Sequence, residues 1–215
     1  MQDLAMAVLV IALTFFLAGL VKGVIGMGLP TAAMGLLGLV MPPAQAAALL
    51  VVPSLVTNVW QSLAGPRFTA QVKRFTTMML GVSVGTALGI GLLTVGASPR
   101  ASAALGAVLA ANGTISLVSM RFTVPAQSER WLSPLVGVIT GAFTGATGVF
   151  VISAVPYLKS LELEKDELIQ ALGLSFTTST VALGIGLAAS NQFQPSVAGR
   201  SLLALGPAIG GMWVG

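Results

Sequence analysis

A single lysine, Lys22, stands in the stretch FFLAGLVKGVIGMGLPTAAMG, residues 15–35, and it is the only charged side chain between Leu4 and Pro66. An ammonium among apolar residues and glycines can hold an anion. A broken glycine-rich helix supplies backbone N–H groups to share the anion's charge. Gly23, Gly26 and Gly28, followed by Pro30, weaken regular helix at this point. Other polar side chains sit in apolar runs: Asn58 and Gln61, Asn112 and Thr114, Thr144 and Thr147, and the cluster Ser175, Thr177, Thr178, Ser179 and Thr180. Histidine and cysteine are absent, and all six carboxylates (Asp3, Glu129, Glu162, Glu164, Asp166, Glu167) read as terminus or loop. No Cys/His metal site, disulfide or histidine acid–base chemistry is available, and no cofactor is implied.

Each feature also has a plainer reading. Glycines four apart, such as Gly81, Gly85 and Gly89, let helix backbones approach closely, and buried Ser, Thr and Asn hydrogen-bond neighbouring helices. A lysine at the end of a span can snorkel into the headgroups.

The elements that carry these residues are membrane helices. Of 215 residues, 55% are hydrophobic and only 7% charged, against about 25% charged in a soluble domain. The net charge of +4 comes from basic residues in short loops, so topology rather than nucleic acid explains it. Charges and prolines divide the chain into apolar segments 4–41 (interrupted near 22–30), 44–65, 73–95, 100–119, 131–158 (interrupted near 144–149), 166–189 and 198–215. The expected fold is an all-α polytopic transmembrane bundle of about seven spans.

The chain repeats itself. FLAGLVKGVIGMG (16–28) aligns with VITGAFTGATGVF (138–150), so that Gly19, Gly23 and Gly26 fall on Gly141, Gly145 and Gly148, and Lys22 falls on Thr144. The same shift pairs Leu50 with Leu172, Thr57 with Ser179 and Asn58 with Thr180; later, LGVSVG (80–85) resembles LGPAIG (205–210). Two copies are expected, 1–125 and 126–215, as parallel four-helix repeats with broken first helices. The second copy stops after three helices, so an eighth helix of about 25 residues is expected to be missing.

The repeat also bears on the depth of Lys22. The uncharged run 131–158 is too short for two spans of roughly 20 residues each. One span with an unwound middle fits, and Lys22 then belongs at the depth of Thr144, inside the membrane. A mid-membrane cation costs at least about 2.5–3.5 kcal/mol, so it faces a cavity or an anion. The expected substrate site is Lys22, Gly23, Gly26, Gly28, Asn58, Asn112, Thr144, Thr147 and Thr180.

With FLAGLVKGVIGMGLP, its degenerate copy VITGAFTGATG and the closing GPAIGGMWVG, the sequence resembles the TauE/SafE sulfite exporter (TSUP) family over essentially its whole length. The resemblance implies a polytopic transporter of small sulfur-containing or organic anions, such as sulfite and sulfonates, with duplicated halves.

An anion transporter is therefore the leading reading. A non-catalytic membrane assembly subunit has no need of Lys22. An intramembrane enzyme would have only Ser/Thr, with Lys22 as base. The expected partners are a small anion and the lipid bilayer, with no nucleic acid; a homo-oligomer is compatible with the sequence. The basic loops 66–74, 120–130 and 190–200 outnumber the opposite set of Arg100, Lys159 and Lys165. That places the expected N-terminus on the cytoplasmic side of the inner (plasma) membrane.

Overall fold

A computed structural model describes residues 2–94, 99–118, 124–150, 153–193 and 195–215. The described residues are all-helical: α1 (Gln2–Ile25), α2 (Leu29–Leu37), α3 (Pro43–Leu63), α4 (Phe68–Thr94), α5 (Pro99–Val118), α6 (Ala126–Thr147), α7 (Ala154–Ser160), α8 (Lys165–Ala189) and α9 (Pro195–Val214). Stretches of α1, α3, α4, α8 and α9 are long and apolar enough to cross a membrane.

Both expected interruptions are present, and they share one geometry. α1 ends at Gly26, with φ +73°, whose N–H bonds the Lys22 carbonyl at 2.8 Å. α6 ends at Gly148, with φ +75°, whose N–H bonds the Thr144 carbonyl at 2.7 Å. Glycine adopts this left-handed cap without a Cβ penalty. Gly28, at φ +99°, precedes α2, and Pro30 sits in the first turn, where its missing N–H costs nothing.

Close glycine contacts fix the helix directions. Gly81, Gly85 and Gly89 of α4 abut the backbone near Pro134, Val138 and Ala142 of α6 in turn, so the two helices run parallel. Gly211 of α9 and Gly215 just past its end abut the backbone near Phe16 and Leu20 of α1, again parallel. Between α3 and α8 the order reverses: Ser62 lies at Gly173, Asn58 at Thr180 and Val51 at Gly184. α4 and α8 are parallel, with Gln71 bonded to the Glu167 carbonyl at one end and Ile90 against Gly186 further along.

Two expectations about the spans are corrected by these directions. α3 and α8, which align in the sequence repeat, are antiparallel, so the halves do not lie as parallel copies. α1 and α3 run the same way, as the contacts of Lys22 with Thr57 and of Gly26 with Gln61 require. Residues 26–42 therefore carry the chain back, and α1 and α2 are not one straight interrupted span. The nine-residue helix α2 lies within this return, entered through the left-handed Gly28 and continued past Leu37 by hydrogen-bonded turns at Leu39, Val40 and Met41.

Pro53 inside α3 lacks the N–H that would bond the Leu49 carbonyl. Ser201 of α9 repairs this: its Oγ donates to Leu49 O at 2.7 Å and accepts from Val52 N–H at 3.2 Å. The proline gap thereby ties α3 to α9 beside a core that includes Phe15, Leu29, Met34, Leu37 and Leu50.

The charged residues gather at one end. Arg67 pairs with Glu167 at 2.8 Å, and Arg74 forks onto Glu129 at 2.6 and 2.8 Å, joining the starts of α4, α6 and α8. The Val124 N–H bonds the Ser160 carbonyl, bringing the end of α7 to the same place. Arg67, Lys73, Arg74, Arg130, Lys159 and Lys165 thus share one end, and Arg100 and Arg200 lie at the other; Arg121 is outside the described residues. The expected division of the loops into two sets fails, because Lys159 and Lys165 belong with Arg67 and Arg200 does not.

Candidate functional site

Lys22 lies in the last turn of α1. Side chains on a helix lean toward its N-terminus, so the lysine stem points away from the charged end of the bundle. Its ammonium is taken up by α3. Nζ donates to Thr57 Oγ1 at 3.1 Å and, in a short contact, to Asn58 Oδ1. Asn58 Nδ2 in turn donates to Thr180 Oγ1 of α8 at 3.4 Å. Lys22 is 2% exposed, Asn58 0% and Thr180 1%. Among the described residues no carboxylate pairs with this lysine. Two neutral oxygens occupy two of its three N–H donors, and the charge has no counter-ion.

Thr57 Oγ1 also donates to Pro53 O at 2.8 Å, which leaves its lone pairs for the ammonium. One turn along α3, Gln61 Nε2 bonds the carbonyls of Gly26 and Ile169 at 2.9 and 3.0 Å, clamping the end of α1 to α3 and α8. Gln61 Oε1 is buried and has no partner. Thr57 and Gln61 were not among the expected site residues. Their signal is helical spacing: both lie within one turn of Asn58.

The other expected residues separate. Gly26 joins the site through its carbonyl, and Gly28 forms the turn into α2. Gly23 faces α9, where a Cβ would stand 2.5 Å from Met212 O, so its lack of a side chain serves helix packing. Thr144 and Thr147 bond their own helix, Oγ1 to Thr140 O and to Phe143 O. Gly148 packs on Met34 and Ala47, so the second break abuts α2 and α3. The Asn112 side chain lies outside the described residues. A crevice of about 70 Å³ between Ala7, Ile11, Arg200 and Leu203 opens between α1 and α9, away from Lys22.

The comparisons with known proteins turn on one match. The profile of the family described as Sulfite exporter TauE/SafE matches residues 11–215. The chain belongs to this sulfite exporter family. It is a multi-pass membrane transporter, in a family of transporters rather than enzymes. No curated protein and no solved structure matches the chain.

Proposed function

We propose that this TauE/SafE protein moves a small sulfur oxyanion or sulfonate across the inner (plasma) membrane, and that Lys22, Thr57, Asn58 and Thr180 hold the anion. The observation that carries the reading is the buried ammonium of Lys22 without a carboxylate. A buried cation held only by neutral oxygens retains most of its desolvation cost. A transported anion is the group that offsets it, and the remaining N–H of Nζ is the donor it takes. A small tetrahedral or pyramidal oxyanion suits a compact ammonium, which acts as a point charge.

The chain is two copies, 1–125 and 126–215, related by a pseudo-two-fold axis in the membrane plane. Several pairs of contacts support this. The shift that takes Asn58 to its own hydrogen-bond partner Thr180 also takes the Ser62–Gly173 contact to Val51–Gly184 and the Ala47–Gly148 contact to Gly26–Ile169. Gly85 meets Val138 and Ala142 as Gly211 meets Phe16 and Leu20, and Gly89 meets Ala142 and Ala146 as Gly215 meets Leu20 and Val24. The copies interleave, each first helix packing on the other copy's third long helix. Residues that touch their own repeat-mates lie on the axis, and an in-plane axis runs through mid-membrane, so Asn58 and the ammonium beside it lie near the bilayer centre. A span count of seven long helices plus two short return segments follows.

Positive charge concentrates on the cytoplasmic side, and the end carrying Arg67, Lys73, Arg74, Arg130, Lys159 and Lys165 holds the excess. α1 runs toward that end, so the N-terminus is extracytoplasmic, opposite to the orientation expected from the loops.

The test is counterflow of labelled sulfite into liposomes containing the purified protein, with taurine-type sulfonates as competitors. Saturable, protein-dependent counterflow supports the proposal. Its absence for every sulfur oxyanion and sulfonate tried rejects the substrate class.

A further inference from the structure

The second copy retains most of the shell that surrounds the ammonium in the first, but not the ammonium. At the positions of Thr57 and Asn58 it has Ser179 and Thr180, and at the position of Lys22 it has Thr144. Thr144 is several atoms shorter than lysine, and its hydroxyl is turned back onto Thr140 O at 2.8 Å. Ser179 Oγ, Ser175 Oγ and Thr140 Oγ1 are left buried without hydrogen-bond partners. These residues are 0%, 3% and 1% exposed, and Thr144 is 0% exposed. Ser175 and Ser179 are one turn apart on α8, as Thr140 and Thr144 are on α6, and the two helices are in contact.

We infer that the hydroxyls of Ser179, Ser175, Thr140 and Thr144 bind a small monovalent cation of the sodium type at the place where the first copy carries the Lys22 ammonium. Unpaired hydroxyls are costly when buried, and their lone pairs are ligands for a hard cation. Thr144 lies in the last turn of α6, where the helix dipole is negative. Helix ends of this kind hold coupling cations in transporters with inverted repeats. A bound cation here and an anion at Lys22 would lie on either side of one axis, so that moving them together moves little net charge. That coupling rests on the proposed anion site; the cation site itself does not.

The experiment is thermal unfolding of the purified full-length chain in sodium chloride replaced stepwise by choline chloride, with no sulfur anion present. Saturable stabilisation by sodium is expected. Ser179→Ala should raise the sodium concentration for half-maximal stabilisation at least tenfold, while Ser83→Ala, which removes an exposed hydroxyl of α4, leaves it unchanged. Thr144→Lys restores an ammonium and should be stable without sodium and unresponsive to it; if this variant does not fold, Ser179→Ala carries the test. Equal melting in sodium and choline would mean that the hydroxyls hold water only, and an unchanged sodium response in Ser179→Ala would mean that sodium binds elsewhere; either result overturns the inference. Because no sulfur anion is used, failure here is distinct from failure of the anion reading.

Discussion

Asn58 donates its amide N–H to the hydroxyl of Thr180, the residue 122 positions further along the chain. The same amide's oxygen accepts from Lys22. One side chain therefore links the buried lysine of α1 to the hydroxyl of Thr180 on α8.

Replacing this link separates a structural from a transport role. Asn58→Ala leaves Lys22 with Thr57 alone, and the loss of a buried partner to a charged group should cost about 1–3 kcal/mol. Asn58→Asp instead supplies a counter-ion that competes with a substrate anion. It should hold or raise the melting temperature while reducing sulfite counterflow at least tenfold. Full transport by Asn58→Asp would mean that Lys22 needs no free charge.

Glycine packing predicts a graded stability series. A Cβ at Gly141 would stand 2.1 Å from Val82 O, and one at Gly19 would stand 2.1 Å from Ala208 O. The obstacle in both cases is backbone, which cannot swing aside. Alanine at either position should destabilise by about 1–3 kcal/mol or more. Gly91 meets nothing within 4 Å, so Gly91→Ala should be neutral or stabilising by up to about 1 kcal/mol. Comparable melting temperatures for all three variants would contradict the packing shared by α4/α6 and α1/α9.

Orientation follows from the basic end. The chain has no cysteine of its own, so single cysteines report cleanly. In intact cells an impermeant maleimide should label Ser102→Cys, near Arg100, and should reach Thr69→Cys, near Arg67, only after the membrane is opened. The reverse pattern would place the N-terminus in the cytoplasm.

Much of this was legible in the sequence because glycine spacing is rigid information. Gly26 and Gly148 align at the sequence level, and both adopt the left-handed cap that ends a helix. The isolation of Lys22 from carboxylates was equally visible, since no acidic residue falls in the interior of the apolar runs. Chain direction was not legible. Counting about 20 residues per span assumes one straight helix, and the segment 26–42 holds a nine-residue helix entered and left through turns. Long-range pairing was hidden as well. The sequence aligns Gly85 with Gly210, but Gly210 meets nothing within 4 Å, whereas Gly211 abuts Phe16 O at 2.0 Å. The structural register is one residue further along, and only the facing helix reveals it. The close contact of Gly23 with Met212 O was hidden for the same reason, because it needs α9 in place.

The most direct measurement is sulfite binding to the purified protein by calorimetry, comparing the unaltered chain with Lys22→Met at matched folding, as judged by melting and gel filtration. Methionine fills the volume of the lysine stem without its charge. Binding is expected to weaken at least tenfold in Lys22→Met, and Lys22→Arg is expected to fall between the two, because a planar fork does not reproduce a compact ammonium. Equal affinity in Lys22→Met and the unaltered chain would remove Lys22 from the substrate site.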